Sequence, residues 1–331
     1  MHTATSSTPH STPTTPDRPR SDQDQPQVHP TTQAPPLGER ALVLGGGGST
    51  GNAWLVGVVA GLFDAGLDLT TADLTIGTSA GATAAAQMAG ATPTELFAAI
   101  SADGPQRRTR PVGSGNNRVA AGPTVDHLEK FRRIIAAAED AADMRRRMGA
   151  AALEMDEASD GTAQARWRAV VAARLPGQRW PERTMLLTAV DAATGEPVEF
   201  DRHSGVDLVD AVAASTSGGG SSFRIGDTGY IDGGYRRSSE NADLASGYER
   251  VLVLSPLGGR SLYPVEWGMN LATQVAELRA GGSNVMTIFP DDDVEHMFGA
   301  RAMDLSLRPL AARAGYDQGR ALVDQLAEFW R

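Results

Sequence analysis

The sequence predicts an α/β fold built on a parallel sheet. Two short apolar runs, residues 41–44 and 73–77, have the length of strands, and each is soon followed by a segment of helical character. Strands that alternate with helices over short connections are typical of parallel sheets. The 331-residue chain is 41% hydrophobic and 21% charged, which indicates a globular protein with a sizeable core.

The first strand and helix flank a run of glycines. Residues 41–44 are all apolar, as expected of a buried parallel strand. Gly45 to Gly48 follow directly, and residues 52–65 are apolar on every side, which predicts a helix enclosed on all faces. Gly66 is placed to end that helix. The glycine run therefore joins a strand to a helix as bare main chain.

The second strand and helix flank a serine. The strand at 73–77 leads into Gly77-Thr78-Ser79-Ala80-Gly81, and residues 80–89 form a helix of mostly small side chains that can pack closely. A strained strand-to-helix turn at this point would expose the Ser79 hydroxyl. An exposed serine beside a glycine loop is the minimal equipment for acyl transfer.

The rest of the sequence predicts further strands and helices. Residues 101–123 read as a loop, and apolar residues at helical spacing predict a helical insert at about 124–176 that forms a cap or side wall. Further strands are expected at 185–190, 198–200, 230–231, 251–254 and 285–289, with a short helix at 207–214 and a closing C-terminal helix.

Composition narrows the classes of function. Residues 1–36 are rich in Thr, Ser and Pro, which predicts a disordered tail ahead of a folded domain at 37–331. The tail lacks the apolar stretch of a secretory signal, and no run of about twenty apolar residues predicts a membrane span, so a cytoplasmic protein is expected. The net charge of −10 argues against nucleic acid as a partner, and the absence of cysteine excludes disulfides and thiolate metal sites.

The glycine loop has competing interpretations. Gly46–Gly51 satisfies the G-x-G-x-x-G pattern of a dinucleotide site, but the next strand ends in Gly77-Thr78-Ser79 where an acidic residue would be needed. A phosphate-binding P-loop would require lysine at the position of Asn52. A tight turn that only lets strand and helix pack closely is the structural alternative. The neighbouring serine favours an anion-binding loop over these interpretations.

A serine nucleophile needs a partner that takes its proton. The preferred candidate is Asp232, which ends a short strand and precedes Gly233 and Gly234, so no side chain after it blocks a close approach. A Ser79–Asp232–His296 triad is the alternative, because His296 follows Asp232 in the chain order of the α/β-hydrolases.

The glycine-rich strand end, the Gly-x-Ser-x-Gly turn and the Asp-Gly-Gly sequence together resemble the patatin-like phospholipases, from about Leu42 to near the C-terminus. Asn241-Ala242-Asp243 also follows that family's pattern. The resemblance implies a three-layer α/β/α sandwich with a mainly parallel central sheet and a helical cap. It also implies that Ser79 is the nucleophile and that Asp232 is its direct partner in a Ser–Asp dyad.

The same resemblance assigns an oxyanion hole and no cofactor. Gly46, Gly47 and Gly48 would donate their N–H groups to the oxyanion, and neither a metal nor an organic cofactor is required. Thr50 departs from the pattern, because many relatives carry arginine or lysine at this position.

The implied function is an acyl-ester hydrolase of the phospholipase A, lysophospholipase or esterase type that acts on a lipid or other acyl ester. An acyltransferase or cyclising esterase with the same dyad is the first alternative, and a non-enzymatic nucleotide-binding module that uses Gly46–Gly51 is the second. Transient contact with a membrane surface would involve the arginines at positions 107, 108, 110 and 145–147. The sequence does not indicate an oligomeric state.

Overall fold

A computed structural model describes residues 38–102, 123–157, 162–218 and 220–331. The described residues belong to one compact unit, Pro36–Arg331. The predicted tail at 1–36 lies outside the described ranges. Residues 103–122, which make up most of the predicted loop at 101–123, also lie outside them.

One eight-stranded sheet runs through the described residues, in the spatial order β5-β6-β3-β2-β1-β7-β8 with β4 paired to β3. The strands are β1 (Gly38–Leu44), β2 (Leu74–Gly77), β3 (Thr184–Asp191), β4 (Pro197–Phe200), β5 (Phe223–Ile225), β6 (Thr228–Asp232), β7 (Tyr248–Leu254) and β8 (Asn284–Ile288). Strands β3, β2, β1, β7 and β8 are parallel, whereas β4, β5 and β6 pair antiparallel. The mainly parallel sheet is confirmed.

Ten α-helices occur in the described ranges, and none of them is long and apolar enough to cross a bilayer. They are α1 (Gly48–Asp64), α2 (Ala80–Met88), α3 (Pro93–Ala102), α4 (Pro123–Ala137), α5 (Ala141–Glu157), α6 (Thr162–Arg174), α7 (Leu208–Ser215), α8 (Leu271–Ala280), α9 (Arg308–Ala321) and α10 (Val323–Trp330). The sequence patterns did not predict α3, α8, α9 or strand β5.

Alternate side chains of β1 enter two different hydrophobic cores. Leu42 and Leu44 pack with residues of α1 and α2 on one face of the sheet. Ala41 and Val43 pack on the other face with residues of α8. Since successive side chains of a strand point to opposite faces, both faces of the sheet are covered by helices. This arrangement is the three-layer α/β/α sandwich.

Helix α1 is buried from Ser49 to Leu62, as its all-round apolar sequence predicts. Its tightest neighbour is α9, because glycines face backbone on both helices. A Cβ added to Gly57 or Gly61 would overlap with a carbonyl oxygen of α9, and one added to Gly315 or Gly319 would overlap with a carbonyl oxygen of α1. The two helices therefore pack at a distance that only glycine permits.

Three helices, α4, α5 and α6, occupy most of the segment predicted as a helical insert. A third hydrophobic core joins Ile135 of α4 and Met148 of α5 to Val190 of β3 and Ile231 of β6. The first two helices of this segment therefore pack against the strand that ends in Asp232.

Candidate active site

Ser79 lies in a strained turn between β2 and α2. Its backbone angles are φ 52° and ψ −111°, and in the described residues only one other non-glycine residue, Asn241, has a positive φ. Such angles are costly for a residue with a Cβ and persist only where the surroundings enforce them. The Ser79 N–H donates to Ser215 Oγ at 3.0 Å, which holds the turn in place. The predicted strained turn is confirmed.

The glycines around Ser79 are required by close packing. A Cβ at Gly81 would overlap with the carbonyl group of Leu44 at the end of β1, and one at Gly77 would lie 2.7 Å from Ala82 Cα. Both positions must lack a side chain for α2 to start directly after β2. The Gly-x-Ser-x-Gly sequence is therefore explained by packing on both sides of the serine.

Asp232 ends β6, where it is paired with Ala189 of β3. Its carboxylate accepts a hydrogen bond from the Gly234 N–H at 2.8 Å. The Ser79 side chain lies close enough to stabilise the charged form of that carboxylate. A Cβ at Gly233 would overlap with Thr188, so the first glycine after the aspartate is needed for a close approach to β3. The structure thus brings Ser79 and Asp232 together.

Burial raises the pKa of Asp232 from its usual value of 3.8 to about 6, and the Gly234 N–H and the nearby Ser79 hydroxyl oppose that rise. The pKa of the neighbouring Tyr235 is also raised, first by burial and second by the Asp232 charge. Removal of a carboxylate from water favours its protonated form. Asp232 is therefore a stronger base than a solvated aspartate.

The glycine loop lies beside Ser79, since a Cβ at Gly46 would be 3.5 Å from Ser79 Cβ. The expectation for Gly46 itself is wrong, because its N–H already donates to Ser239 O at 2.7 Å. Among the described residues, no acceptor faces the N–H of Gly47 or Gly48, the residues at the start of α1. Gly47 and Gly48 therefore remain candidates for oxyanion donors.

The first turn of α1 is bound by the C-terminal part of the chain. The Thr50 hydroxyl donates to Met297 O at 3.0 Å, and the Thr50 N–H donates to Ala302 O at 2.9 Å. Arg308 donates to Ser49 O at 2.9 Å. Thr50, which departs from the family pattern, therefore contacts Met297 and Ala302. The sequence patterns did not connect these two residues to the site.

His296 does not join the pair. It is exposed, and its Nδ1 lies 3.0 Å from Asp293 O in the same loop. Within the described ranges, no hydrogen bond connects it to Ser79 or Asp232. The described residues also contain no group of three or more His, Asp or Glu side chains that could hold a metal ion.

A cavity of about 1080 Å³ opens next to these residues. Ser79 and Asp232 do not line it, but their neighbours Gly47, Gly48 and Gly218 do. A Cβ at Gly218 would lie 3.0 Å from Asp232 Oδ2, so the wall is thin at this point. Most of the other lining residues are apolar and come from α4, α5 and the C-terminal loops; they include Phe131, Ile134, Met148, Leu257, Leu262, Phe298 and Met303.

A buried polar network lies behind the site. Glu240 accepts hydrogen bonds from the hydroxyls of Ser238, Ser239 and Ser255, each at 2.7 Å. Ser239 in turn holds the Gly46 N–H through its carbonyl oxygen. Sequence reasoning missed Glu240, because the contacts that tie this segment to Ser255 and to the glycine loop form only in the folded chain.

The family model of the patatin-like phospholipases matches residues 42–245, more than half of the chain. The chain therefore belongs to this family. No curated protein matches the chain.

Two solved structures share low similarity with the chain. VipD from Legionella pneumophila is 13% identical, with a TM-score of 0.37, and the match covers 87% of this chain and 66% of VipD. ExoU of the type III secretion system of Pseudomonas aeruginosa, solved in complex with SpcU, is 17% identical, with a TM-score of 0.33 and coverage of 86% and 53%. The chain thus spans somewhat less than two thirds of VipD and about half of ExoU.

Proposed function

We propose that the protein is a serine acyl-ester hydrolase of the phospholipase A, lysophospholipase or esterase type, with Ser79 and Asp232 as a catalytic dyad. The observation that carries the proposal is the proximity of Ser79, held in a strained turn, to Asp232, a carboxylate whose pKa is raised to about 6. Family membership supports a lipid acyl ester as the substrate.

In the first half of the reaction, Ser79 Oγ attacks the ester carbonyl carbon while Asp232 takes the hydroxyl proton. The carbonyl oxygen becomes an oxyanion, which accepts hydrogen bonds from the N–H groups of Gly47 and Gly48. The positive end of the α2 dipole, which begins directly after Ser79, adds to this stabilisation. Collapse of the oxyanion breaks the ester bond, and the leaving alcohol receives the proton from Asp232.

In the second half, the acyl-Ser79 ester is hydrolysed. Asp232 accepts a proton from a water molecule, whose oxygen attacks the acyl carbon and forms a second oxyanion at the same N–H groups. Ser79 then leaves with the proton held by Asp232, and the carboxylic acid is released. The raised pKa of Asp232 suits both halves, because the same group must accept and return a proton near neutral pH.

The cavity supports a long apolar acyl chain as part of the substrate. Its volume of about 1080 Å³ is at the upper end of ligand pockets, which are typically about 300–1,000 Å³. Its apolar lining comes from α4, α5 and the C-terminal loops, so the helical insert within the domain at 37–331 would serve as one side wall of the acyl site.

Transient contact with a lipid surface would involve the mouth of this cavity rather than the arginine run. Leu262 and Met303 line the cavity and are 47% and 61% exposed. Arg145 is turned inward, where it donates to the carbonyl oxygens of Gly195 and Arg236, and Arg147 pairs with Asp143. Residues 107, 108 and 110 lie outside the described ranges.

Substitution of the dyad tests the proposal. Ser79→Ala and Asp232→Ala should each lower turnover of a p-nitrophenyl ester by at least about 10³-fold, because removal of a nucleophile or its base leaves only binding and the oxyanion hole. His296→Ala is the control and should keep activity. A fluorophosphonate probe should label Ser79 in the wild-type protein and not in Ser79→Ala.

Other outcomes would favour the alternatives. Full activity of Asp232→Ala together with an inactive His296→Ala would favour the triad alternative, with His296 as the base. A protein that is not labelled but binds nucleotide would point to the binding module. If mass spectrometry finds a new ester rather than free acid when an alcohol is added, the enzyme is an acyltransferase.

A further inference from the structure

Asn241 is a buried polar residue near the dyad. Its side chain is 0% exposed, and its backbone has the left-handed angles φ 52° and ψ 42°. Asparagine tolerates these angles better than most residues with a Cβ. The backbone thereby turns the Asn241 amide into the polar region where β2 and β6 end beside Thr188 of β3.

The nitrogen of the Asn241 amide faces three acceptors. Nδ2 donates to Gly233 O at 2.9 Å, to Thr78 Oγ1 at 3.0 Å and, less closely, to Thr188 Oγ1 at 3.3 Å. The carbonyl oxygen of Gly233 can only accept, so the amide nitrogen and not its oxygen must face it. This acceptor fixes the orientation of the side chain.

Two of these acceptors lie next to the dyad on opposite sides. Thr78 is the residue before Ser79, and Gly233 is the residue after Asp232. The strands that carry the dyad are not neighbours, since β3 lies between β2 and β6. Thr188 belongs to β3 and donates to Thr78 Oγ1 at 3.0 Å. One amide therefore links the ends of β2 and β6 to the strand that lies between them.

The oxygen of the Asn241 amide is held as well. It accepts hydrogen bonds from the Ser238 N–H and from Arg236, both at 3.4 Å. Arg236 is fixed by Glu199 at 2.7 Å and Asp243 at 3.0 Å. With both ends of its amide bound, Asn241 is a rigid connector rather than a polar residue that merely fills space.

We propose that Asn241 is a positioning residue that sets the separation between the Ser79 hydroxyl and the Asp232 carboxylate. The inference rests on the proposed dyad. Asn241 touches neither the reacting atoms nor the substrate cavity, and it acts by tying Thr78 to Gly233. A misplacement of about 1 Å between reacting groups lowers the rate by about 10²-fold, so this link has a direct effect on turnover.

Asn241→Gly tests the inference, because glycine keeps the left-handed backbone and removes the amide. We expect kcat for a p-nitrophenyl ester to fall by about 10²-fold with little change in KM, since the apolar cavity is untouched. The rate at which a fluorophosphonate probe labels Ser79 should fall in parallel.

Gln274→Ala is the matched control. Gln274 is also 0% exposed and belongs to the same polar region, where its Nε2 donates to Ser238 Oγ and Met269 O, each at 2.9 Å. It makes no hydrogen bond to Thr78 or Gly233. Both variants lose a buried amide, so both should unfold more easily, but Gln274→Ala should keep the wild-type kcat and labelling rate.

Thr78→Val keeps the inference testable if Asn241→Gly does not fold. It removes the acceptor on the serine side and leaves the bond to Gly233, so kcat should fall, though less than in Asn241→Gly. A folded Asn241→Gly or Thr78→Val with wild-type kcat would overturn the inference, and so would an equal loss in Gln274→Ala. Undiminished activity in Ser79→Ala or Asp232→Ala would instead overturn the proposed function, and the inference with it.

Discussion

As the base of the proposed dyad, Asp232 would meet two opposing demands. It would have to be removed from water to become a base strong enough to take a serine proton, and it would still have to be ionised at the pH of the reaction. Burial raises its pKa, whereas the Gly234 N–H and the Ser79 hydroxyl stabilise the charged form and limit that rise. The value of about 6 lies between these demands.

The pH dependence of the reaction should report this balance. Only ionised Asp232 can accept the proton, so kcat/KM should rise with pH through an apparent pKa of about 6 and then level off. The measurement is kcat/KM for an uncharged ester across that range. Imidazoles titrate in the same range, so His296→Ala is the necessary control and should give the same curve. A midpoint near 4, or one that moves in His296→Ala, would contradict the assignment.

The candidate site residues that could be predicted from the sequence are those with a recognisable pattern of neighbours along the chain. Ser79 and Asp232 were predictable because glycines flank them, and those glycines reflect close backbone contacts at the same positions. Gly46 was misassigned because its N–H is engaged by Ser239, far away in the chain. Asn241 showed a family pattern, but its link between Thr78 and Gly233 exists only in the folded protein.

At the scale of elements, the contact of α1 with α9 depends on glycines. Gly57→Ala should lower the free energy of unfolding by about 1–3 kcal/mol, because the added methyl meets the carbonyl oxygen of Ala312 in a packed interface. Gly281→Ala is the control, since there the Cβ meets only carbonyl oxygens of its own helix, and the change should stay within about 0.5 kcal/mol. Denaturant unfolding measures both. A Gly57→Ala protein as stable as the wild type would show that the helices can move apart.

The same glycines explain why α9 escaped prediction. Its sequence has small residues where it meets α1, including Gly315 and Gly319, so it lacks the apolar stripe that indicates a helix. Helix α1 was predictable because its burial is visible as an unbroken apolar run. The helical spacing of apolar residues in the insert continues through Ala142. In the structure, however, α4 ends at Ala137, and Asp140 accepts a hydrogen bond from the Asp143 N–H at the start of α5.

At the scale of the whole molecule, the cavity exists because distant segments meet. Its walls come from the glycine loop, from α4 and α5, and from loops after β7 and β8. No sequence pattern describes a surface assembled in this way, so its size and lining could not be predicted. The order of strands and helices in the first part of the chain was predictable, because each βα unit is local.

Met148→Trp should test the cavity as the acyl site. Met148 lines the cavity from α5, so a larger side chain would shorten it and lower kcat/KM for a long-chain ester relative to a short-chain one by about tenfold or more. Met155→Trp is the matched control, because Met155 lies on the same helix, is exposed and does not line the cavity. The measurement is the ratio of kcat/KM for the two esters. An unchanged ratio in Met148→Trp would place the acyl chain elsewhere.

The place of β7 beside β1, together with the bonds from residues 297–308 to the first turn of α1, has a consequence for biosynthesis. A nascent chain that has emerged from the ribosome only as far as Asp232 holds both residues of the proposed dyad but lacks the strand and loops that hold the first turn of α1. The proposed activity is therefore expected to arise late in translation, after the C-terminal segment has been made, so that incomplete chains should be inactive.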